Sequence, residues 1–487
     1  MLSFKKELFV GIFYISVAKY SSVVLQLVIN AVLSRILLPD DFGLVASVAV
    51  FITFFSLLAD MGIGPAIVQN RDLSEEDIKA VFSFTIYIAV TISILFYFLA
   101  NPISVFYSGD SKIVNIVHLL AISVFFYSIN IVPQALLQKA KRFKFIGLRT
   151  LLVQTVSGAL SVFLAFKGFG VYALVFSFVF SSILLFVFNF MKCRIGFSFS
   201  LRYTSLQKIQ SFSIFQFLFS FINYFSRNLD KILVGRFLDF QALGYYEKSY
   251  RLMLFPLQNV PSVINPVLLP LFSELQEDRM LIVQKYCRII RILSYISLPL
   301  GIFLYFSSYE LIVLVFGNQW EPSVAIFKIL SLSVPFQLII SPAGTIYQAM
   351  GATKQLFYSG VVGAFIMLTS FTLPIILWGN LEAVSYGYVL GQFLNFLQTY
   401  ILFCAVLRTS FLNFLSILIK PVIVSVLLCC ILFVYTSLFD LDLFYSLFVK
   451  FLITLLFIYM CMQFMGVFNI NAFVIVAFKK VRSRLRI

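Results

Sequence analysis

Apolar runs long enough to cross about 30 Å of hydrocarbon recur along the whole chain, separated by short polar stretches. They cover residues 9–34, 42–68, 80–101, 113–136, 147–166, 170–191, 211–236, 244–272, 290–316, 322–348, 356–378, 383–407, 417–438 and 444–467. Fourteen runs predict an all-α polytopic membrane protein with about fourteen transmembrane helices. An even number of crossings puts both termini on one side. No loop on the opposite side exceeds about a dozen residues, which argues against a polytopic enzyme built around a large external domain.

Composition agrees with the pattern. Of 487 residues, 61% are hydrophobic and 11% charged, against about 45–50% and about 25% in a soluble domain. The net charge of +16 could suggest nucleic acid, but the cations lie between membrane segments and point to membrane topology instead. Twenty-five of the 36 Lys and Arg fall on the side of the termini, three (Lys112, Lys167, Lys450) on the other, and eight inside helices. The positive-inside rule makes the side of the termini cytoplasmic. Both tryptophans, Trp320 and Trp378, fall at the opposite boundary, where an interfacial aromatic belt is expected. The first segment is too long for a signal peptide, lacks a small-residue cleavage pattern, and is expected to be retained.

An internal repeat organises the helices. The joint R-I-L-L-P-D-D-F-G (35–43) recurs as R-F-L-D-F-Q-A-L-G (236–244) at an offset of 201. The same register superposes Pro65 on Pro266, Glu76 on Glu277 and Asp77 on Asp278. A later offset of about 210 matches Val105–Phe106 to Val315–Phe316 and Gln138 to Gln348. The repeat unit is six helices, and an even unit gives parallel copies about an axis along the membrane normal. The predicted organisation is a six-helix lobe at 1–200, a second at 201–410, and two additional helices with a basic tail at 411–487. The stretches 70–79 and 274–279 are expected to form short interfacial helices. The basic stretches 139–144 and 479–486 suit anionic headgroups of membrane lipids.

Charges inside apolar runs are the candidate chemistry. The stretch S-F-I-N-Y-F-S-R-N-L-D-K-I-L-V-G-R (220–236) carries Arg227, Asp230, Lys231 and Arg236. One charge at a helix centre costs roughly 2.5–3.5 kcal/mol on insertion scales, so such residues face protein or water. At 100° per residue, Asp230 and Lys231 lie within about 60° of Arg227. Two readings follow: a water-accessible cationic cavity for an anionic substrate, or an Arg227–Asp230 ion pair that fixes helix packing. Arg35 and Arg236 end their helices at the outer mouth, where snorkelling to headgroups accounts for them. Lys248 and Lys328 lie near the outer surface, with the same explanation open. Glu247 and Arg251 stand at i,i+4 with the acid first, the favourable order for a structural pair. Lys19, Arg227, Lys231 and Arg251 remain as deep cations with few acids to neutralise them, a set suited to phosphate or pyrophosphate.

Asp60 sits in L-A-D-M-G-I-G-P, a helix broken by glycines and Pro65, and fits either ion coupling or a hinge. His118 reads as a core or interfacial residue. Tyrosines on helices one, seven and eight, among them Tyr20, Tyr224 and Tyr246, fit sugar stacking or ordinary aromatic packing. The six cysteines lack metal-ligand spacing and read as buried free thiols. D-L-D at 440–442 lies in a short loop with no nucleotide-binding domain around it. No P-loop and no Ser/His/Asp or metal-ligand cluster occurs. The reading is a transporter rather than an enzyme, with no metal, no cofactor and no nucleic-acid partner.

The residues just read resemble those of the Wzx-type polysaccharide flippases, in particular the WzxC-like lipopolysaccharide branch. That branch shares a superfamily (multidrug/oligosaccharidyl-lipid/polysaccharide exporters) with the MATE multidrug exporters and the lipid II flippase. The resembling stretches are R-I-L-L-P-D-D-F-G-L-V-A, L-L-A-D-M-G-I-G-P-A-I-V-Q, N-L-D-K-I-L-V-G-R-F-L, L-G-Y-Y-E-K-S-Y-R-L and P-V-L-L-P-L-F-S-E-L-Q-E-D, within residues 1–410. The resemblance implies a two-lobed, fourteen-helix transporter. Its implied cargo is undecaprenyl-pyrophosphate-linked oligosaccharide, carried from the cytoplasmic to the periplasmic leaflet of a bacterial inner membrane. It further implies alternating access driven by an H⁺ or Na⁺ gradient, with polysaccharide polymerase and assembly proteins as partners. By position, Arg227, Asp230, Lys231 and Arg236 match the family's polar stretch of helix seven, and Arg251 that of helix eight. Arg227 and Lys231 are expected to meet the pyrophosphate, with Asp230 orienting Arg227. A MATE-like cation exporter would favour unpaired carboxylates, and a polymerase or ligase a long external loop. A lipid II flippase shares the pyrophosphate headgroup.

Overall fold

A computed structural model describes residues 2–70, 72–107, 109–196, 203–275 and 278–466. All regular structure among them is helical. The chain divides into two compact units, Met1–Glu247 with Val315–Gln319, and Lys248–Leu314 with Trp320–Ile487.

In the first unit the helices are α1 (Leu2–Ile36), α2 (Pro39–Asp60), α3 (Ile63–Gln69), α4 (Glu75–Phe98), α5 (Ala100–Phe106), α6 (Ser111–Ile129), α7 (Ile131–Lys139), α8 (Phe143–Phe166), α9 (Val171–Cys193) and α10 (Tyr203–Phe237), followed by the start of α11 (Phe240–Ser273). Local chemistry sets their ends. Pro39 opens α2, where its missing N–H costs nothing, and Asp40 and Asp41 occupy the first turn. Ser74 and Asp77 form a reciprocal capping box at the start of α4. The stretch 70–79, expected as a separate interfacial helix, thus supplies the cap and first turn of α4 among the described residues. The predicted run 42–68 breaks at Met61 and Gly62, both in left-handed conformation, and resumes as α3.

Leu44, Val48, Ile52 and Phe55 of α2 pack with Phe96 of α4 and with Ile116, Leu120 and Val124 of α6 in the core of this unit. Gln319 belongs here because its amide donates to the Ser34 and Leu37 carbonyls at the C-terminal end of α1.

The second unit holds the rest of α11, then α12 (Arg279–Phe306), α13 (Ser308–Phe316), α14 (Pro322–Ser331), α15 (Val334–Ile340), α16 (Ala343–Ala349), α17 (Thr353–Trp378), α18 (Leu381–Leu407), α19 (Phe411–Leu438) and α20 (Leu443–Phe464). The single predicted run 322–348 is three helices, interrupted near Pro335 and Pro342, where proline cannot donate to the helical ladder. Tyr286, Tyr347, Phe403 and Tyr400 form the centre of one core cluster, and the Tyr400 hydroxyl donates to the Ile339 carbonyl at 2.7 Å.

The last two helices are fastened to this unit by a buried charge pair. Lys450 of α20 bonds Glu310 of α13 and donates to the Phe306 carbonyl at 2.8 Å. Sequence reading counts Lys450 at the edge of the side opposite the termini, within the run 444–467; it is 3% exposed inside α20. Trp320, expected in an interfacial belt, is completely buried, while Trp378 is exposed.

Eleven helical segments among the described residues are long and apolar enough to cross a membrane. The protein is a multi-pass membrane protein. The helices α1, α10 and α11, 35, 35 and 34 residues long, are not among those eleven. Two of them, α10 and α11, carry Arg227, Asp230, Lys231, Arg236, Glu247, Lys248 and Arg251.

Candidate functional site

α10 and α11 are joined by a two-residue turn, so charges at the end of one face charges at the start of the other. Asp230 is 2% exposed. Its carboxylate accepts from the Tyr246 hydroxyl at 3.0 Å and from the Lys231 amide at 2.8 Å. The Lys231 ammonium lies 2.8 Å from the Glu247 carboxylate, with both side chains largely buried. Two consecutive residues of α10 thus meet two consecutive residues of α11. The expectation that Asp230 orients Arg227 is not what the geometry gives: among the described residues its carboxylate takes Tyr246 instead.

Arg227 is exposed, one helical turn before Lys231. Arg227, Lys231, Asp230 and Glu247 balance formally to zero when all are ionised. The cationic excess read from the sequence is therefore offset here by two buried carboxylates. What distinguishes the group is depth. The acids are enclosed, Lys231 is partly covered, and Arg227 stands in the open.

Lys19 and Arg35 are exposed on α1, and the Arg35 side chain passes close to Gly317. The Arg236 guanidinium lies over the Phe106 ring at 5.5 Å, a cation–π contact. Arg251 is exposed on α11. Lys248 does not reach the surface as expected; it is 2% exposed with its ammonium over the Trp320 ring at 5.1 Å. Asp60 accepts from the Gly64 amide at 3.1 Å, so it caps α3 across the break after α2. His118 stacks on Tyr97 with ring centroids 3.9 Å apart.

Sequence reading missed two features. Tyr246 passed for one aromatic among many, although it lies 16 residues from Asp230, across the hairpin turn. Arg149, not among the candidates read from the sequence, is 8% exposed and donates to Asn189 and, at 3.0 Å, to Gln134. Asn189 in turn donates to Asn130 at 2.7 Å, at the junction of α6 and α7. The available signal was position: Arg149 stands three residues inside the predicted run 147–166.

The chain is 26% identical to the teichuronic acid biosynthesis protein TuaB of Bacillus subtilis over 432 residues, 87% of this chain and 88% of TuaB. It is 23% identical to the lipopolysaccharide biosynthesis protein WzxC of Escherichia coli over 425 residues, 84% of this chain and 85% of WzxC. The fold is similar to that of the lipid II flippase MurJ in an inward closed conformation, with a TM-score of 0.72 at 15% identity. That match covers 93% of this chain and 98% of MurJ. Residues 32–325, more than half of the chain, match the family model described as polysaccharide biosynthesis protein, and the protein belongs to that family.

Proposed function

We propose that the protein is a flippase that moves undecaprenyl-pyrophosphate-linked oligosaccharide repeat units across a bacterial inner membrane, from the cytoplasmic to the periplasmic leaflet. The supporting observation is the exposed Arg227 set one turn from a Lys231–Glu247 pair, on helices of a family that builds polysaccharide. A guanidinium in the open suits a pyrophosphate, which it can grip with two parallel hydrogen bonds. Lys231 supplies a second cation once its partner is neutralised.

In this reading α1, α10 and α11 also cross the membrane, giving fourteen spans with both termini cytoplasmic. The two six-helix repeats at 1–200 and 201–410 alternate access, and helices in 411–487 flank them. Glu247 and Asp230 are the groups through which H⁺ or Na⁺ couples to transport, because each buried carboxylate needs a cation or a proton whenever its partner leaves. Lys19 and Arg251 extend the anion path, Arg35 and Arg236 flank its outer mouth, and Asp60 stiffens the α2–α3 break. A polymerase and assembly proteins take up the translocated unit.

Complementation in cells lacking their own polysaccharide flippase tests the proposal. Restored surface polymer, with loss of the lipid-linked intermediate that accumulates inside, is the expected result. Failure across several donor glycans, with rescue instead of cells lacking a lipid II flippase, would replace the cargo with lipid II.

A further inference from the structure

In the second unit, Leu332 after α14 joins α15, α17 and α18 in lining a groove of about 900 Å³, within the size range of small-molecule sites. The break between α14 and α15 opens it. Gly387 helps to shape its floor, because a side chain there would strike the Ser370 carbonyl and hold α17 and α18 apart. Leu332, Leu390 and Phe393 line it as exposed apolar side chains. In a bilayer such surface is covered by hydrocarbon.

One end of the groove is different. Trp378 and Tyr386 are both exposed there, beside Asn380 and Glu382. Glu382 is exposed in the first turn of α18, and the groove lining holds no Lys or Arg. A groove lined by a carboxylate and two exposed aromatic rings, with no cation among its lining, attracts an ammonium group by charge and by cation–π contact and repels a phosphate-rich head. We infer that this groove is a binding site for a membrane phospholipid with a primary ammonium headgroup, of the phosphatidylethanolamine class. One hydrocarbon chain lies along Leu390 and Phe393, and the ammonium sits at Glu382. The anionic carrier lipid is not the occupant. The inference does not depend on which cargo the protein carries.

The two tryptophans make it measurable. Trp320 is buried and supplies a constant background, while Trp378 sits at the mouth. The full-length protein is reconstituted in phosphatidylcholine vesicles doped with phosphatidylethanolamine or phosphatidylglycerol carrying brominated chains, and tryptophan quenching is followed against dopant fraction. Trp378→Phe identifies the signal. The expected result is half-maximal quenching at about fivefold less phosphatidylethanolamine than phosphatidylglycerol, the ratio for one charge contact at a membrane surface. Glu382→Gln, an exposed and isosteric change, brings the two lipids together. Equal quenching by both in the unmodified protein means ordinary annular hydrocarbon and overturns the inference. So do a preference for phosphatidylglycerol, an absence of quenching, and a phosphatidylethanolamine preference that survives Glu382→Gln.

Discussion

Gly43 presses against the carbonyl of Phe240, and Gly244 presses against the carbonyl of Pro39. The offset of 201 that carries Gly43 onto Gly244 also carries Pro39 onto Phe240. Two contacts that exchange their members in this way are what a two-fold operation produces. The N-terminal turns of α2 and α11 approach so closely because neither glycine has a Cβ.

Substituting alanine at Gly43 or Gly244 is expected to drive a methyl group into a backbone carbonyl that cannot rotate away. The cost should be about 1–3 kcal/mol, typical of an overpacked contact. Thermal unfolding in detergent should show a lower midpoint for either variant, together with lost surface polymer in complemented cells. Gly360→Ala is the control, since nothing lies within 4 Å of a Cβ at that position. If all three variants behave alike, the close approach of the two turns does not matter to the protein.

Lys231→Ala should leave Glu247 enclosed without its cation, and removing one member of a buried pair costs about 3–5 kcal/mol. With Lys231 still slightly open to its surroundings, the lower end of that range is expected. Combining Lys231→Ala with Glu247→Gln should restore much of the stability and none of the transport. Unfolding midpoints and polymer assays on the two single variants and the double variant separate these effects. Full transport by the double variant would remove Lys231 from the substrate path.

Arg227→Ala should leave the unfolding midpoint nearly unchanged, because the side chain is exposed and makes no ion pair among the described residues. Surface polymer should nevertheless fall at least tenfold if Arg227 holds the pyrophosphate, since a charge-assisted contact is worth about 1.5–3 kcal/mol. Normal polymer at normal protein level would refute that assignment.

Tyr246→Phe removes one hydroxyl and leaves the ring in place. Asp230 then loses the only side-chain donor it has among the described residues, at a cost of about 1–3 kcal/mol for an unsatisfied buried acceptor. Thermal unfolding should register this loss, and Asp230→Asn should partly relieve it because an amide is less costly to leave underbonded than a carboxylate.

Lys450→Met should destabilise the protein by breaking the pair with Glu310, whereas Lys450→Met with Glu310→Gln should recover most of the loss. Neither variant is expected to change the cargo delivered, because this pair fastens α20 to α13 within the second unit. A transport defect in the stable double variant would give α20 a direct part in translocation.

Hydrophobic periodicity alone determined that this chain is a helical membrane protein, because each apolar run of this length has only one economical way to satisfy its backbone in lipid. The motif-level resemblance to polysaccharide flippases was likewise legible, since it rests on residue order. Charge balance was not. Lys231 looked like a surplus cation because Glu247 lies on the next helix, and helical spacing says nothing about partners across a turn. The burial of Lys450, Trp320 and Arg149 was not legible for the same reason: hydropathy locates a residue by depth along its own helix, while burial depends on which neighbouring helix covers it. The reciprocal seats of Gly43 and Gly244 were visible in sequence only as a repeat. That the two turns meet, carbonyl against glycine, was decided by the packing of α2 and α11.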